Sequence, residues 1–230
     1  MLKLLLLAGG LGTRLRSEVP DLPKVLAPIN GIPFIHYIIE SYEKQGVREI
    51  VFLLGYKHEM IIDYLEQSFP QLKKHYIIEK EQLGTGGAIL QGIINSDGEN
   101  FIITNGDTFF DVDLKSMIEN HQEAECSIAL KPLINFDRYG SVTLDNNNNI
   151  IEFNEKKFCE KGYINGGVYI LNKRAFLMHT LPNIFSFETE YLANKSLNKK
   201  LKGYISDGYF IDIGIPEDYS RAQKELSIHK

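Results

Sequence analysis

The chain begins with a short apolar run that leads into Leu7-Ala8-Gly9-Gly10-Leu11-Gly12-Thr13-Arg14-Leu15, and Pro23-Lys24 follows soon after. Residues 2–7 are apolar apart from Lys3, as expected of a buried strand in a parallel sheet. Glycines directly after a strand let backbone N–H groups approach an anion closely. Arg14 and Lys24 add two cations beside those donors. The stretch therefore predicts a polyphosphate-binding turn, and a tight turn with an exposed arginine is the alternative.

Two familiar phosphate-binding motifs do not fit these residues. A P-loop needs lysine followed by serine or threonine after its last glycine, whereas the chain has Gly12-Thr13-Arg14. A dinucleotide-binding fingerprint that starts at Gly10 needs glycine or alanine at position 15, which is Leu15. The turn therefore belongs to neither of these classes.

Beyond this turn, the first half of the chain alternates strand-like and helix-like patterns, and the second half is richer in strands. Hydrophobic periodicity and glycine or proline boundaries predict strands at 2–7, 49–54, 76–79, 101–104, 126–131, 141–144, 150–155, 163–171 and 209–213. The same signals predict helices at 33–45, 58–69, 87–94, 113–122, 187–197 and 216–228, and a hairpin turn at 146–149. The pattern predicts a single α/β domain over residues 1–230, with a mixed, mainly parallel sheet flanked by helices.

Composition excludes several classes of protein. Of the 230 residues, 43% are hydrophobic and 24% charged, which is typical of a globular chain rather than a disordered one. A net charge of −5 argues against a nucleic-acid partner, because phosphate neutralisation requires a surplus of lysine and arginine. The longest apolar run, Leu4–Ala8, is too short to span a bilayer, so we expect no membrane partner. Two cysteines without regular spacing fit a reducing cytoplasm, with Cys126 in the core.

Five further blocks follow the opening turn in a fixed order: Leu83-Gly84-Thr85-Gly86-Gly87-Ala88, Asn105-Gly106-Asp107, Glu155-Lys156, Asn165-Gly166-Gly167-Val168-Tyr169 and Asp212-Ile213-Gly214. In this combination the chain resembles the sugar-1-phosphate nucleotidyltransferases, and within them the bacterial heptose-1-phosphate guanylyltransferases. The resemblance implies a Rossmann-like nucleotidyltransferase fold, with a nucleotide-binding half at about 1–112 and a sugar-phosphate-binding half at about 113–230. It also implies that GTP and D-glycero-α-D-manno-heptose 1-phosphate give GDP-heptose and pyrophosphate.

Such a reaction requires positioning and charge neutralisation rather than a protein nucleophile. The resemblance implies that Arg14 holds the β- and γ-phosphates and that Lys24 contacts the α-phosphate. A solvated surface lysine is the alternative for Lys24. The nucleotide-binding residues that the resemblance implies are Leu7, Ala8, Gly9, Gly10, Gly12, Thr13, Glu81, Gly84, Thr85, Gly86, Asn105 and Gly106.

Two aspartates are candidate metal ligands. Asp107 follows a buried strand and a glycine, and Asp212 lies within an otherwise apolar strand. A carboxylate in such a place is costly unless it binds a cation or hydrogen-bond donors. Mg²⁺ often takes one or two carboxylates together with phosphate oxygens, and the resemblance assigns both positions to a Mg²⁺ cofactor. Capping of local amides is the alternative for Asp107.

A second acidic pair favours a different enzyme. Asp111-Val112-Asp113 has the Asp-x-Asp spacing of metal-dependent glycosyltransferases. We instead expect Asp113 to be the N-cap of the helix that follows it. A glycosyltransferase would also have no use for the placement of Arg14 and Lys24.

The resemblance assigns the sugar phosphate to the second half of the chain. The residues implied are Glu155, Lys156, Asn165, Gly166, Gly167 and Glu188, and for Glu188 a first-turn acid favourable to the helix dipole is an equal alternative. The two glycines would also fit an empty β-bulge. Glu79 or Glu81 would accept hydrogen bonds from guanine, and a position facing solvent or the ribose is the alternative for either.

A sensing module without catalytic activity is the non-enzyme alternative, although such a module should lose Arg14, Lys24 and the two aspartates. The partners expected are small molecules, an NTP and a sugar 1-phosphate. A homodimer formed through apolar side chains of the second half is also expected.

Overall fold

The computed structural model describes residues 3–196 and 199–226. Its strands are β1 (Lys3–Ala8), β2 (Pro28–Ile29), β3 (Ile32–Pro33), β4 (Glu49–Leu54), β5 (Lys73–Ile78), β6 (Asn100–Asn105), β7 (Thr108–Phe110), β8 (Cys126–Phe136), β9 (Ser141–Leu144), β10 (Ile150–Phe153), β11 (Cys159–Asn172), β12 (Leu201–Ile205) and β13 (Phe210–Asp212). The helices are α1 (Phe34–Lys44), α2 (His58–Ser68), α3 (Gly84–Ile94), α4 (Leu114–His121), α5 (Lys173–Leu177) and α6 (Pro216–Glu225). Short 3₁₀ turns occupy Thr13–Leu15 and Lys24–Leu26.

The central sheet is mixed, which confirms the predicted fold class. Strands β6, β1, β4 and β5 lie side by side and parallel, in that order. Strand β11 joins β6 antiparallel and also pairs with β8 and β9. Because β6 belongs to the first half of the chain and β11 to the second, the two halves share one sheet.

The apolar run that forms β1 explains why the sheet is covered on both faces. Leu4 and Leu6 pack into one core cluster together with residues of α1, α2 and α6. Leu5 packs into the other cluster, together with residues of α3 and the segment around Phe187. Successive side chains of a strand point to opposite faces, so a continuous apolar strand needs two cores.

Several predicted boundaries were wrong. The segment predicted as a helix over 187–197 is a single π-helical turn at Phe187–Leu192, where three aromatic rings pack together and fix a short turn. Helix α3 begins at Gly84, three residues before the predicted start. Strand β7 was not predicted, and its register with β13 pairs Thr108 with Asp212. Residues 2, 197, 227 and 228 of the predicted elements lie outside the described residues.

Other local predictions are confirmed. The Asp113 carboxylate accepts hydrogen bonds from the Ser116 N–H at 3.1 Å and the Ser116 hydroxyl at 2.7 Å, so it caps α4 as expected. Pro216 is in the first turn of α6. Cys126 is fully buried. The hairpin turn between β9 and β10 is held by Asp145, which accepts the N–H groups of Asn147 and Asn149.

No helix in the part of the chain that the structure describes is both long and apolar enough to cross a membrane. Large apolar side chains are exposed in the second half, among them Ile134 at 71% and Phe158 at 67%. The homodimer expected from such side chains stays a prediction.

Two isoleucines provide a matched test of the core. Ile103 is fully buried in β6, whereas Ile134 is exposed in β8. We expect Ile103→Ala to lower the free energy of unfolding by about 2–5 kcal/mol, because truncation leaves a cavity. Ile134→Ala should change it by no more than about 0.5 kcal/mol. Urea denaturation measures both, and equal losses in the two variants would contradict the placement of the core.

Candidate active site

A cavity of about 440 Å³ opens beyond the carboxyl ends of β1 and β6. Ligands of open α/β sheets bind at this edge. The residues that line it are Leu7, Ala8, Gly9, Gly10, Leu11, Gly12, Thr13, Lys24, Val25, Glu79, Gln82, Gly84, Thr85, Ala88, Asn105, Gly106 and Asp107. The structure therefore brings together the glycine turn, the Lys24 loop, the start of α3 and the block after β6.

Gly12 allows the glycine turn to pass close to Lys24. Its φ is +58°, in the left-handed region, and a Cβ there would lie 2.8 Å from Cβ of Lys24. The 3₁₀ turn that follows buries Leu15. A side chain at position 12 would therefore separate the turn from the lysine that faces the same cavity.

Lys24 binds two aspartates from distant parts of the chain. Its Nζ donates to Oδ2 of Asp107 at 2.6 Å and lies 4.0 Å from Oδ1 of Asp212. Only 10% of its side chain is exposed, so Lys24 is not a solvated surface lysine. Its backbone lies in a short 3₁₀ turn directly after Pro23.

The paired strands β7 and β13 bring the two aspartates together. The Ile213 N–H donates to the Asp107 carbonyl at 3.0 Å, which fixes the end of β13 beside Asp107. Oδ1 of Asp212 accepts the Gly214 N–H at 2.6 Å. Two carboxylates in contact with one ammonium leave one negative charge uncompensated at the cavity edge.

The two carboxyl groups respond differently to this arrangement. Burial raises the pKa of Asp107, but the charge and hydrogen bond of Lys24 outweigh it and hold that pKa below its ordinary value. Burial and the neighbouring Asp107 charge raise the pKa of Asp212. Asp212 is therefore the partner whose negative charge is poorly stabilised.

The donor set fits a hard divalent cation. Asp107 and Asp212 offer carboxylate oxygens and leave a net negative charge, which such a cation would neutralise. Within residues 3–196 and 199–226, no group of three or more His, Cys, Asp or Glu could hold a metal. A cation here would therefore need further oxygen ligands from a bound phosphate and water.

Glu79 and Glu81 have different surroundings. Glu79 lines the cavity, its Oε2 accepts the Leu83 N–H at 3.2 Å, and burial raises its pKa. Glu81 is exposed and does not line the cavity. Of the two acceptors considered for a base, Glu79 is the one at the cavity wall, and Gln82, which the sequence did not single out, lies beside it.

The start of α3 packs against Phe185 from the second half of the chain. The Gly86 N–H donates to the Phe185 carbonyl at 2.9 Å, and a Cβ at Gly86 would lie 2.1 Å from the Phe185 ring. Gly84 has φ +72°, and its Cβ would lie 2.5 Å from the same carbonyl. Gly84 lines the cavity, whereas Gly86 is buried against Phe185.

Glu188 contacts the cavity residue Thr85. Its Oε2 accepts the hydroxyl of Thr85 at 2.8 Å and the hydroxyl of Ser186 at 3.2 Å. Oγ1 of Thr85 in turn accepts the Phe187 N–H at 2.9 Å. Glu188 therefore orients Thr85, a contact that the sequence did not indicate.

The block Asn165-Gly166-Gly167 forms a β-bulge in β11. Register shifts between Asn165 and Tyr169 against β8. Asn165 donates to the Tyr169 hydroxyl at 3.0 Å and accepts the Gly167 N–H at 3.0 Å. A Cβ at Gly166 would lie 2.3 Å from the Phe110 ring. The β-bulge that the sequence offered as an alternative is therefore present, and the absence of a side chain at Gly166 allows close packing against Phe110.

Gly167 is in contact with the cavity residue Asn105. A Cβ at Gly167, where φ is +73°, would lie 2.8 Å from Nδ2 of Asn105. Oδ1 of Asn105 is buried and has no hydrogen-bond partner among the described residues. Buried polar atoms are normally paired, so this oxygen is an acceptor open to a ligand group.

The structure does not bring Arg14, Glu155 and Lys156 to the cavity wall. Arg14 is exposed in the 3₁₀ turn, and Glu155 and Lys156 are exposed between β10 and β11. Their assigned roles stay predictions.

Sequence reasoning missed two residues near Asp212. The Arg138 guanidinium donates to the Asp218 carboxylate at 2.6 Å. Burial and the nearby Asp212 charge raise the pKa of Tyr139 to about 12. The run Arg138-Tyr139-Gly140 between two strands is a local signal, but only the tertiary fold places it beside Asp212.

Known proteins resemble this chain over nearly its full length. Residues 3–228 match the family model for nucleotidyl transferases. The chain is 49% identical over 224 residues to the D-glycero-α-D-manno-heptose 1-phosphate guanylyltransferase of Aneurinibacillus thermoaerophilus, covering 96% of this chain and 97% of that one. The enzyme of the same name from Campylobacter jejuni subsp. jejuni is 46% identical, with 94% and 96% covered.

Solved structures agree with these matches. The crystal structure of HddC from Yersinia pseudotuberculosis superposes with a TM-score of 0.90 at 39% identity, covering 98% of this chain and all of that one. The same protein complexed with GMP-PN gives a TM-score of 0.89 at 38% identity, with the same coverage.

The opposite pKa shifts of Asp107 and Asp212 predict that their substitution by asparagine has opposite effects on stability. An ionised group with a raised pKa destabilises the folded protein above that pKa, so Asp212→Asn should stabilise the protein at neutral pH. The pKa of Asp107 is lowered in the folded protein. Its ionised carboxylate therefore stabilises the folded protein above the ordinary pKa of aspartate, and this stabilisation is lost as the pH falls through the lowered pKa. Asp107→Asn should therefore destabilise the protein at neutral pH.

Urea denaturation in the presence of a metal chelator, at neutral pH and near pH 3, measures the free energy of unfolding of both variants. At neutral pH the free energy of unfolding should be higher than that of the wild type in Asp212→Asn and lower in Asp107→Asn. In acid the values of both variants should approach that of the wild type. Loss of stability in Asp212→Asn at neutral pH would contradict the uncompensated charge.

Proposed function

The chain belongs to the nucleotidyl transferase family, and we propose that it transfers GMP from GTP to D-glycero-α-D-manno-heptose 1-phosphate. The products are GDP-heptose, for surface polysaccharide synthesis, and pyrophosphate. The chain is 46–49% identical over most of its length to two D-glycero-α-D-manno-heptose 1-phosphate guanylyltransferases, which supports the proposal. The proposed location is the cytoplasm, since two cysteines without regular spacing fit a reducing compartment.

The observation that carries the proposal is the contact of Lys24 with Asp107 and Asp212 at the edge of a glycine-lined cavity. In the reaction, a phosphate oxygen of the sugar attacks the α-phosphorus of GTP, and the bond to the β-phosphate breaks. Pyrophosphate leaves with the electron pair of that bond. The negative charge that accumulates at the α-phosphate needs a nearby cation.

Each part of the cavity has a role in this proposal. The turn Gly9–Thr13 offers backbone N–H groups to the phosphates, and the exposed Arg14 reaches the β- and γ-phosphates from the same turn. Lys24 neutralises the α-phosphate. Asp107 and Asp212 would hold Mg²⁺, which supplies additional neutralisation of phosphate charge when bound.

The base and the sugar lie at opposite ends of the cavity in this proposal. Glu79 is the acceptor for the donor edge of guanine, because it is at the cavity wall and half-buried. Asn105 keeps its predicted role toward the nucleotide, with its Oδ1 open to a hydroxyl donor, and the sugar phosphate is placed toward Lys156 and Glu155 on their exposed loop. A non-catalytic module would have no need of Lys24 with both aspartates.

Substrate specificity provides the first test. Pyrophosphate release with each of four NTPs and a panel of sugar 1-phosphates should be fastest for GTP with the heptose. Mannose 1-phosphate, which lacks only the seventh carbon, should be a poorer but detectable substrate, since a pocket discriminates weakly against a missing carbon. A preference for CTP or UTP would overturn the guanylyl assignment and leave the transferase assignment standing. No release with any pair would favour the binding module.

Charge removal at the cavity provides the second test. Lys24→Ala should reduce turnover by two or more orders of magnitude, about the effect of losing one electrostatic stabiliser, while GTP binding changes less. Arg14→Ala should weaken both turnover and binding. The matched controls are Lys44→Ala and Arg16→Ala, exposed residues outside the cavity lining, which should retain activity. Unchanged turnover in Lys24→Ala, measured on protein with wild-type circular dichroism, would remove its catalytic role.

A further inference from the structure

Glu125 is a buried acid that the proposed reaction does not use. The residue directly precedes β8 and is only 9% exposed. Its backbone is fixed on both sides, because the Glu125 N–H donates to the Lys200 carbonyl and the Asn172 N–H donates to the Glu125 carbonyl, each at 2.9 Å. A buried carboxylate is costly unless it is hydrogen-bonded. Glu125 is therefore a fixed point whose side chain requires partners.

Two side chains provide these partners at a single oxygen. The Tyr191 hydroxyl donates to Oε1 of Glu125, and Nε2 of His179 lies 2.7 Å from the same oxygen. An ionised carboxylate only accepts hydrogen bonds, so both groups act as donors. Burial raises the pKa of Tyr191, which keeps the proton on its hydroxyl. Tyr191 is thus joined to a carboxylate from a distant part of the chain.

Tyr191 belongs to the π-helical turn Phe187–Leu192. The Ala193 N–H donates to the Glu188 carbonyl at 2.9 Å, which is the bond over five residues that defines such a turn. Within the turn the rings of Phe187 and Tyr191 stack, with centroids 5.1 Å apart and planes at 20°. A Tyr191 hydroxyl fixed on Glu125 therefore also restrains Phe187.

The beginning of the same turn holds the cavity residue Thr85. The Phe187 N–H donates to Oγ1 of Thr85 at 2.9 Å, and this hydroxyl donates to Oε2 of Glu188 at 2.8 Å. Thr85 lines the candidate active site and is predicted to bind the nucleotide. A continuous series of contacts therefore leads from Glu125 through Tyr191 and the turn to the cavity wall.

The hydrogen bond to Glu125 gives this turn an orientation that apolar packing alone does not. The rings of Phe176, Phe187 and Tyr191 pack with centroids 4.8–6.3 Å apart. Apolar burial is non-directional, whereas a hydrogen bond fixes the direction of its donor. Replacing both partners of a buried hydrogen bond by apolar groups can leave stability nearly unchanged, so stability alone does not account for the pair.

We propose that Glu125 and Tyr191 are positioning residues for nucleotide binding. They fix the π-helical turn so that its first residues, Phe187 and Glu188, orient the hydroxyl of Thr85 at the cavity wall. Glu125 and Tyr191 themselves lie outside the cavity lining. This role rests on the proposed function, which gives the cavity GTP as its ligand.

Tyr191→Phe tests the role, because it removes the hydroxyl and keeps the ring. We expect the affinity for GTP to fall about three- to tenfold, the effect of one lost hydrogen bond, and the KM for GTP to rise accordingly. The contacts of Lys24 are retained, so kcat should change less than about twofold. Calorimetric titration of GTP and steady-state kinetics measure these values.

Tyr37→Phe is the matched control. Tyr37 is buried in the other core cluster, and its hydroxyl donates to the Ile29 carbonyl at 2.9 Å. Its loss should lower stability and leave the KM for GTP unchanged. A wild-type KM in Tyr191→Phe, or an equal rise in both variants, would overturn the positioning role.

Two further comparisons test the route through Thr85. In a Thr85→Val background, Tyr191→Phe should cause no additional loss of GTP affinity, because the hydroxyl that it orients is absent. Glu125→Gln keeps an oxygen acceptor and should bind GTP like the wild type, whereas Glu125→Leu should resemble Tyr191→Phe. A full additional loss in the Thr85→Val background would show that Tyr191 does not act through Thr85.

Methyl NMR of Thr85 in the protein without nucleotide separates this role from the proposed function. Tyr191→Phe should shift the Thr85 methyl resonance, and Tyr37→Phe should not. That shift in a protein whose wild type fails to bind GTP would contradict the proposed function and still support the positioning of Thr85. An unshifted resonance in Tyr191→Phe would exclude the positioning whatever the protein binds.

Discussion

The rest of the site depends on one ammonium group shared by two carboxylates. Lys24 Nζ reaches Asp107 at 2.6 Å and Asp212 at 4.0 Å, although these residues come from three separate parts of the chain. Each element must be in place before the contact can form: the 3₁₀ turn after Pro23, the end of β6 and the pairing of β7 with β13. Burial and the Asp107 charge nevertheless raise the pKa of Asp212, so its negative charge is only partly stabilised by Lys24.

A second constraint joins the two halves of the chain around α3. The Phe185 carbonyl and ring occupy the space that side chains at Gly84 and Gly86 would need, and Glu188 accepts the hydroxyl of Thr85. Helix α3, which borders the cavity, is therefore held in place by Phe185 and Glu188 from the second half of the chain.

The sequence was most informative where the chemistry is local. The continuous apolar run of β1 followed by glycines predicted the parallel centre of the sheet and the position of the cavity, and Asp113 was recognised as a cap from its place before a helix. The sequence left open whether Gly166 and Gly167 serve a ligand or a β-bulge, because the hydrogen bonds of Asn165 to Tyr169 and Gly167 and the packing of Gly166 against Phe110 are set by tertiary structure. Nor could it show that Glu188 meets Thr85, because such contacts arise only when distant segments pack.

Strand β11 has a consequence for how the protein is made on the ribosome. It supplies the antiparallel neighbour of β6 through Val168–Asn172, and the same strand pairs with β8 and β9. Until these residues have emerged, the nascent chain has β1, β4, β5 and β6 available, but one side of β6 lacks its final neighbour. Open strand edges are templates for pairing with other chains. Synthesis from the N-terminus thus leaves an unpaired, aggregation-prone edge of β6 exposed during translation. Pairing of that edge requires β11, which lies in the second half of the chain.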